Sequence, residues 1–530
     1  MPRKNKRKNN VAVIDFETDP FEHGKVPAPF AAGFYDGSRY LQFWGDDCVE
    51  QLIAFLSTEK EPFILYAHNG GKFDFFFMLD HLTDPIKIIG ARITKAGLLH
   101  HELRDSFSII PVPLAMYQKE EIDYGKFTRE NRATYRAEIL AYLKSDCIYL
   151  FELVSAFVER FGPKLTIGAT AIQKLREICP FPTGTQEHDM KFRPHYFGGR
   201  VEFMKRGILR GHWKVYDVNS MYPYTMSEYQ HPNGQFYANP PNPKILADGT
   251  LKGFGDWIYF ALVEGTNYGA FPIREKGKLN FRVKYGQFFV TSHEMKVAMK
   301  YGLFKIDRVL YAWVPKQTMT FKDYVDTYVA EKIEAKKSGD KVGEMFAKFL
   351  LNSAYGKTAQ NPLNYLDYKI HRAGEPLEAG WHLMEEIALG VYLMSRRAEN
   401  PRYLDVAIGA SITGASRSVL LEALHLARNP IYCDTDSVIC EELPLELSDT
   451  KLGAWKLEGE GDTIAIAGKK LYALHDNGQL VKMASKGVRI SDAEIFDICR
   501  GKSATWRNDA PTFSLKNPPR FLTRTIAGVQ

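Results

Sequence analysis

Two separate sets of carboxylates constrain this chain of 530 residues more than any other feature of its sequence. The first set begins on the apolar segment Val11–Phe16, which has the pattern of a β-strand. Asp15 and Glu17 are two residues apart on that strand, so their side chains point to the same face. One strand therefore presents two carboxylates side by side, where they can share a divalent cation.

Two later segments complete the first set. Asp74 opens a helix predicted over Phe73–His81, and Tyr142 and Asp146 share one face of a long amphipathic helix predicted over Tyr135–Phe161. Four acids and one phenol from three elements suit phosphodiester hydrolysis, in which carboxylates hold two divalent ions and a phenol orients the attacking water. Taken singly, each acid is better explained as a solvated charge, and only the ordered set favours the hydrolytic site.

The second set joins two distant parts of the chain. Asp217 ends a predicted strand, Lys214–Tyr216, and far downstream a predicted hairpin presents Asp434 and Asp436. Carboxylates arranged in this way can clamp two divalent ions around a triphosphate, as nucleotidyl transfer requires. The D-T-D sequence by itself is also consistent with a plain hairpin turn, because Asp is common in turns.

A helix between these acids carries a stripe of polar residues. Lys348, Asn352 and Tyr355 are at positions i, i+4 and i+7, and Lys336 closes the preceding helix. Two lysines over a triphosphate and a tyrosine under a base would form a nucleotide-binding face. An ordinary amphipathic helix with a solvated lysine is the alternative for this stripe.

Composition excludes several classes of protein. The hydrophobic content is 45%, the charged content is 25% and the net charge is +6, which are ordinary globular values. We find no apolar run near the length needed to cross a bilayer, and no apolar segment behind the basic N-terminus that would make it a signal peptide. The six cysteines are scattered. We therefore expect a multidomain cytoplasmic protein without a membrane partner.

The order of predicted elements divides the chain. Strands alternate with helices up to about residue 185, which predicts an α/β unit. Residues 229–320 are rich in Asn, Pro, Gly and aromatic residues and are expected to form an insertion. Two helices follow, Phe321–Lys337 and Lys341–Tyr355, and then a second, irregular insertion at 361–400.

Taken in order, the motifs resemble those of family B DNA polymerases. They are D-F-E, N-x-x-x-F-D, Y-x-x-x-D, Y-D-V-N-S-M-Y-P, K-F-L-L-N-S-A-Y-G and Y-C-D-T-D-S. The chain is most similar to the protein-primed group, and within it to the polymerases of tectivirus-type phages. The resemblance implies a multidomain α/β and α+β fold, with a ribonuclease H-like 3′–5′ exonuclease domain followed by a right-hand polymerase of palm, fingers and thumb.

The resemblance also implies domain bounds and two terminal-protein-region insertions. The expected bounds are 1–185 for the exonuclease, 186–228 and 406–487 for the palm, 229–320 for insertion 1, 321–360 for the fingers, 361–405 for insertion 2 and 488–530 for the thumb. Insertion 1 is expected to contact the priming protein and duplex DNA, and insertion 2 to close around the DNA as a clamp.

The catalytic residues follow from the same resemblance. Each active site is expected to hold two Mg²⁺ ions, for which Mn²⁺ can substitute. The implied ligands are Asp15, Glu17, Asp74 and Asp146 in the exonuclease site, with Tyr142 orienting water, and Asp217, Asp434, Asp436 and the Val218 carbonyl in the polymerase site. Tyr222 is expected to exclude a 2′-hydroxyl from the sugar of the dNTP, and Lys336 and Lys348 to contact its triphosphate, beside Asn352 and Tyr355.

A further group of residues is implied to hold DNA. These residues are Asn69 and Phe73 for the frayed 3′ end, Ser106 and Phe107 for single-stranded DNA and the priming protein, Lys119 in the exonuclease site, Tyr196, Gly198 and Gly199 in the linker, Thr413 and Arg417 for the template, and Lys470 and Tyr472 for the primer end. Two departures from relatives affect the expected strength of contacts. Glu344 stands where some relatives have a third phosphate-binding lysine, and Phe107 replaces an aliphatic residue.

The implied function is a replicative polymerase. It would extend DNA from a hydroxyl of a terminal protein, copy a linear viral or plasmid genome with strand displacement, and proofread. Its expected partners are template and primer DNA, dNTPs and the terminal protein, with the enzyme a monomer or a heterodimer with that protein. Two alternatives remain at this point: a family B polymerase primed by nucleic acid or by nothing, and a catalytically dead DNA-binding relative.

Overall fold

A computed structural model describes residues 10–114, 121–399 and 401–529. The α-helices are α1 (Cys48–Thr58), α2 (Arg136–Phe161), α3 (Ile167–Ile178), α4 (Gln186–Phe192), α5 (Met221–Glu228), α6 (Ser292–Lys300), α7 (Lys322–Ser338), α8 (Lys341–Thr358), α9 (Val406–Leu426) and α10 (Asp492–Cys499). Short 3₁₀ helices lie at Gly70–Lys72, Asp74–His81, Ser106–Ser108, Tyr124–Phe127, Arg193–His195 and Pro362–Asn364.

Most of the β-strands are short. In chain order they are β1 (Val11–Thr18), β2 (Pro29–Tyr35), β3 (Tyr40–Trp44), β4 (Ile64–Ala67), β5 (Leu82–Ile89), β6 (Arg92–Leu98), β7 (His101–Asp105), β8 (Val201–Phe203), β9 (Gly207–Val218), β10 (His231–Pro232), β11 (Phe260–Asn267), β12 (Ile273–Glu275), β13 (Lys278–Asn280), β14 (Tyr285–Thr291), β15 (Phe304–Trp313), β16 (Thr318–Met319), β17 (Leu366–Arg372), β18 (His382–Ala388), β19 (Val391–Arg397), β20 (Tyr432–Asp434), β21 (Ser437–Cys440), β22 (Trp455–Gly468), β23 (Leu471–Asp476), β24 (Gln479–Ser485), β25 (Ala504–Arg507), β26 (Thr512–Ser514), β27 (Asn517–Arg520) and β28 (Thr523–Ile526).

The chain divides into two compact units. The first comprises Met1–Thr170, Pro362–Pro401 and Arg507–Thr523, and the second comprises Ala171–Asn361, Arg402–Trp506 and Arg524–Gln530. Each unit is therefore assembled from segments that are far apart in sequence. In the part of the chain that the structure describes, no helix is long and apolar enough to cross a membrane.

The first unit is built on a ten-stranded sheet. Its order is β18-β19-β17-β5-β6-β7-β4-β1-β2-β3, with β1 parallel to β4 and β4 parallel to β7. Along β1, Ile14 and Phe16 enter the core while Asp15 and Glu17 take the alternate face, as the period of two requires. Helix α2 packs on β1 and β2, and it comes close because a Cβ at Gly33 would lie 2.7 Å from the Cys147 sulfur.

The structure corrects two expectations in this unit. Residues 361–400 are not irregular, because β17, β18 and β19 form an antiparallel extension of the sheet. Ile370 and Leu393 of that extension are buried in the core of the unit. The segment predicted as a helix over Phe73–His81 is a 3₁₀ helix, Asp74–His81, with a kink at Met78. Strand β17 alternates apolar and polar residues over 366–371, but β18 and β19 do not, so the alternation covers only a short part of the segment.

The second unit contains a seven-stranded antiparallel sheet of order β24-β23-β22-β9-β21-β20-β8. Helices α7 and α8 form the predicted antiparallel pair, joined at Gly339, whose φ of 75° suits a residue without a side chain. Helix α9 is buried along most of its length. Its small residues permit this, since a Cβ at Gly414 would lie 2.4 Å from the Thr291 hydroxyl.

Candidate active sites

Three of the predicted exonuclease acids form one cluster. Each of Asp15, Glu17 and Asp146 offers a carboxylate oxygen, and these atoms all lie within 4.8 Å of one another. Asp15 and Glu17 come from the outward face of β1, and Asp146 comes from the face of α2 that packs on that strand. Hard carboxylate oxygens at this spacing fit Mg²⁺ or Mn²⁺, so the donor set suits the expected ions.

Asp74 lies beside this cluster but outside the group of three. Its side chain is 2% exposed, and the Phe16 backbone N–H donates to its carboxylate. Burial first, and then the nearby Asp105, raise the pKa of Asp74 to about 7. A cation would favour the ionised form of this carboxyl, which gives Asp74 the character expected of a ligand that ionises on binding metal.

Tyr142 has a phenolic neighbour that the sequence analysis did not predict. The hydroxyls of Tyr142 and Tyr124 lie 3.4 Å apart, and Tyr124 is exposed. Burial is the main cause of the raised pKa of Tyr142, followed by Tyr124 and Asp146. The neutral phenol can therefore hold a water or a 3′ hydroxyl at this cluster without itself losing a proton.

The residues predicted to hold single-stranded DNA differ in exposure. Phe73 is half-buried, with its ring centroid 5.6 Å from that of Phe21. Phe107 lies under the Arg92 guanidinium, 4.7 Å from the ring centroid. Ser106 is buried and donates to the Ala67 carbonyl, 3.2 Å away. The Ser106 side chain therefore faces the interior of the unit.

Two other residues predicted to act in the exonuclease region are Asn69 and Lys119. Asn69 is half-buried in the left-handed region of backbone conformation, with φ of 62°, where it begins the turn before Asp74. Lys119 lies outside the described residues. Asp105 was missed, although it stands in the D-S-F-S motif. It is buried, ion-paired with Arg92, and accepts the Phe107 N–H at 2.9 Å.

The second predicted acid set meets across paired strands. Asp217, near the end of β9, is the partner of Ser437 on β21, and the Val218 N–H donates to the Asp436 carbonyl at 2.9 Å. The pKa of Asp217 is raised to about 7 by burial first and then by Asp436, and burial also raises the pKa of Asp436. The two half-buried carboxyls therefore oppose each other's ionisation, and a bound divalent cation would stabilise both in the charged form.

Asp434 has a different partner. Its carboxylate is ion-paired with the ammonium of Lys470, the residue predicted to hold the primer end. Within the described ranges, Asp217, Asp434 and Asp436 do not gather as closely as the exonuclease acids do. The ammonium occupies the position of a cation at Asp434, so ion binding there requires this pair to open. Tyr472 is buried against Tyr432, with ring centroids 5.1 Å apart.

Glu458 is a carboxylate that the sequence analysis missed. It stands on β22 at a break in the pairing with β9, between Leu457 and Gly459. It raises the pKa of both Asp217 and Asp436, and its own carboxylate is paired with Lys482. A break of this kind is a β-bulge, and a bulge changes the direction in which the neighbouring side chains point. No motif in the sequence indicates this proximity, which comes from strand pairing alone.

The stripe that is predicted to bind the nucleotide is accessible. Lys348 and Asn352 are exposed on α8, and Lys336 is exposed near the end of α7. Tyr355 of the same stripe is half-buried and contacts Tyr222 of α5. The exposed cations are free to approach a triphosphate, while the tyrosines form the wall beside them.

Thr413 and Arg417, the residues predicted to bind the template, have partners inside the protein. Both are buried on α9. Thr413 donates to the Gly409 carbonyl of its own helix at 3.0 Å, and Arg417 is bonded to Glu294. The reason is that α9 is surrounded by packed elements, so its polar side chains find partners inside the unit.

The linker residues are near the hairpin that carries the acids. Tyr196 is half-buried, and Gly198 is exposed. A Cβ at Gly199 would lie 2.7 Å from the Thr435 side chain, so only glycine fits against the turn. The linker therefore packs directly on the D-T-D turn.

Comparisons with known proteins identify the family to which this chain belongs. Residues 110–387 match the family model described as DNA polymerase type B, organellar and viral. The chain is 42% identical to the DNA-directed DNA polymerase of Enterobacteria phage PRD1, over the full length of both. It is 25% identical to the DNA polymerase of Bacillus phage phi29, covering 80% of this chain and 77% of that protein.

A solved structure shows the same fold. Phi29 DNA polymerase complexed with primer-template DNA matches with a TM-score of 0.74 and 19% identity, covering 98% of this chain and all of that one. The chain therefore belongs to the organellar and viral family of type B DNA polymerases. It is a DNA-directed DNA polymerase, similar to the enzymes of phages PRD1 and phi29. The resemblance predicted from the ordered motifs and the fold class that it implied are both confirmed.

Proposed function

We propose that this polymerase starts DNA synthesis on a terminal protein, copies a linear genome with strand displacement, and proofreads with a 3′–5′ exonuclease. The observation that carries the proposal is the placement of the two acid sets in different compact units. Asp15, Glu17 and Asp146 lie in the first unit, and Asp217 and Asp436 lie in the second. Two chemically separate sites are what synthesis and proofreading require.

In the polymerase site, Asp217, Asp434, Asp436 and the Val218 carbonyl would hold two Mg²⁺ ions, for which Mn²⁺ can substitute. Bound divalent ions lower the pKa of a primer hydroxyl and neutralise charge on the phosphates of the incoming nucleotide. Asp217 releases its proton as the site is loaded, because its pKa is raised to about 7 in the protein without metal.

The side chains around that site would hold the dNTP and the primer. The exposed ammonium groups of Lys336 and Lys348 bind the triphosphate, and Tyr222 excludes a ribonucleotide by occupying the space of its 2′-hydroxyl. Lys470 would leave Asp434 and contact the primer end when DNA binds. The ion pair with Asp434 keeps this lysine beside the site until then.

In the exonuclease site, Asp15, Glu17, Asp74 and Asp146 would hold a second pair of ions. Tyr142 would place the water that attacks the terminal phosphodiester. Its neutral phenol and its contact with Tyr124 support this role. Phe73 and Asn69 would hold the frayed 3′ end beside the cluster.

The two insertions would supply the partner contacts. We assign insertion 1 to the priming protein and duplex DNA, and insertion 2 to a clamp that separates the strands. Three leucines of insertion 2 support the second assignment by their exposure, since apolar side chains can wedge between base steps. Leu389 is 96% exposed between β18 and β19, and Leu377 and Leu383 are also exposed.

Initiation tests the priming proposal. The purified enzyme is incubated with a candidate terminal protein from the same genome, Mn²⁺ and labelled dATP or dGTP. We expect a covalent complex of the terminal protein with one nucleotide, and none with an Asp434→Asn enzyme. An enzyme that extends an oligonucleotide primer but never labels the protein would favour nucleic-acid priming. Because it is similar to the enzymes of phages PRD1 and phi29, we propose that it acts in the cytoplasm of a host cell.

A further inference from the structure

A buried ion pair connects α6 to α9. Glu294 is 2% exposed and Arg417 is 3% exposed. The Arg417 Nε and Nη2 donate to the two carboxylate oxygens of Glu294 at 2.7 and 2.9 Å, and the Thr291 hydroxyl donates to Glu294 at 2.9 Å. Burying two charges is costly unless their geometry is close to ideal, and such a pair is often retained for the position it imposes on its surroundings.

Arg417 has a second set of acceptors. Its Nη1 donates to the carbonyls of Phe197 and Gly198 at 2.5 and 3.1 Å. Glu294 fixes the orientation of the planar guanidinium, and the remaining nitrogen of the guanidinium fixes two consecutive backbone carbonyls. The ion pair thus determines where the chain runs just before β8.

The residues that follow hold the D-T-D turn. Gly199 packs on the Thr435 side chain, the Arg200 carbonyl accepts the Thr435 N–H at 2.7 Å, and Val201 pairs with Asp434. Thr435 has φ of 58°, in the left-handed region that β-branched residues rarely adopt. A turn of this shape persists only when its surroundings impose it.

We propose that Glu294 is a positioning residue of the polymerase site. It acts through Arg417 and the Phe197–Arg200 backbone to hold the turn between Asp434 and Asp436. Glu294 touches neither substrate nor ion in this scheme. The inference rests on the polymerase site proposed above, because it takes those two acids as the metal ligands.

The first test is Glu294→Gln, which keeps the shape of the side chain and removes its charge. We expect single-nucleotide addition to slow by about tenfold or more, and the Mg²⁺ concentration for half-maximal rate to rise by at least about threefold. The KM for dNTP should change less, by about twofold at most, because Lys336 and Lys348 are unchanged in this variant. The exonuclease rate on single-stranded DNA reports whether the other unit is folded.

Glu422→Gln is the matched control. Glu422 pairs with Lys300 at 2.8 Å and so joins the same two helices, but Lys300 is exposed and is the last residue of α6, at the other end of that helix from Glu294. Its loss should leave the rate and the Mg²⁺ dependence unchanged. Equal effects of the Glu422 and Glu294 variants would show that general attachment of α6 to α9 matters, and would overturn the proposal.

A second variant covers the case in which Glu294→Gln does not fold. Glu294→Leu combined with Arg417→Met replaces the pair by apolar groups, which is often neutral for stability, but it leaves the two carbonyls without their donor. A folded double variant with parental rate and Mg²⁺ dependence overturns the proposal, and a slow one with a raised Mg²⁺ requirement supports it. Asp434→Asn distinguishes a failure of the proposed polymerase site from a failure of the proposed role of Glu294. If the Asp434→Asn enzyme still adds nucleotides, the proposed site itself is wrong.

Discussion

The ring of Tyr222 stacks on the ring of Tyr355, with the centroids 3.9 Å apart and the planes inclined by 14°. The two phenols also hydrogen-bond, and burial raises the pKa of Tyr222. Tyr222 is the second residue of α5, which starts shortly after the strand that carries Asp217, and Tyr355 ends the polar stripe of α8. The stack therefore joins the start of α5, near Asp217, to the polar stripe of α8 as a wall of two rings.

This wall predicts sugar selection. Replacing Tyr222 by Val removes the ring that fills the space of a 2′-hydroxyl, so we expect ribonucleotide incorporation to rise by about tenfold or more, each ~1.4 kcal/mol of lost discrimination being a factor of ten. The measurement is the ratio of kcat/KM for dNTP and rNTP. Tyr222→Phe is the control and should retain selection, because the ring remains. Unchanged selectivity in an active Tyr222→Val enzyme would contradict the assignment.

The two acid sets should be separable by mutation. Asp217→Asn or Asp434→Asn should abolish nucleotide addition and leave degradation of single-stranded DNA near normal, since each carboxylate binds metal only in its own site. Asp15→Ala together with Asp74→Ala should have the reverse effect. Both activities are measured on the same preparation. If either change destroyed both activities in a folded protein, the assignment of two sites would be wrong.

The raised pKa of Asp217, about 7, predicts how metal binding depends on pH. Below that pH the carboxyl holds a proton that the cation must displace, so the apparent affinity for Mg²⁺ should fall by about tenfold for each pH unit below about 7. The measurement is the Mg²⁺ concentration for half-maximal nucleotide addition across this range. Glu458→Gln removes one cause of the shift and should move the transition to lower pH. An affinity independent of pH would contradict the prediction.

The stability of the metal-free protein should change in the opposite direction. The folded pKa of Asp217 lies above its ordinary value of 3.8, so the folded state binds this proton more tightly than the unfolded chain does. The stabilisation is present in full below about pH 4 and is lost as the pH rises through about 7. We expect Asp217→Asn to flatten this part of the curve of unfolding free energy against pH. A metal-free protein that gains stability through Asp217 over this range would refute the sign.

The buried and the exposed leucines of insertion 2 should contribute differently to the free energy of unfolding. Leu393→Ala leaves a cavity in the core of the first unit and should cost about 2–5 kcal/mol of unfolding free energy, whereas Leu389→Ala should change it by less than ~0.5 kcal/mol. Replacing the whole of 361–400 with a Gly/Ser linker would expose that core. The clamp is better tested by serine at Leu377, Leu383 and Leu389.

The serine variant separates the clamp from the fold. Single-nucleotide addition on a primed template should stay near that of the parent, because both acid sets are outside the insertion. Product length under a heparin trap should fall, and extension should stall at a downstream duplex. Full-length strand-displacement products from this variant under the trap would show that these leucines are not the wedge.

Much of the chemistry could be read from the chain. Asp15 and Glu17 share a face because a strand has a period of two, and Tyr142 and Asp146 share one because a helix brings i and i+4 together. The helix pair around Gly339 was predicted within a few residues for the same reason. These relationships are local, and the spacing of residues along a strand or helix is enough to predict them.

The relationships between distant segments were decided by tertiary structure. Of the three strands β17, β18 and β19, only β17 alternates apolar and polar residues, yet all three extend the sheet of the first unit. Pairing of β17 with β5 supplies the hydrogen bonds and core that the segment lacks alone. The sequence did not indicate that Arg417, expected from the resemblance to bind the template, is buried and ion-paired with Glu294. By itself the sequence determined which acids are present and which local elements carry them. Only packing determined which of them meet, because burial and long-range strand pairing set the partners of a charge.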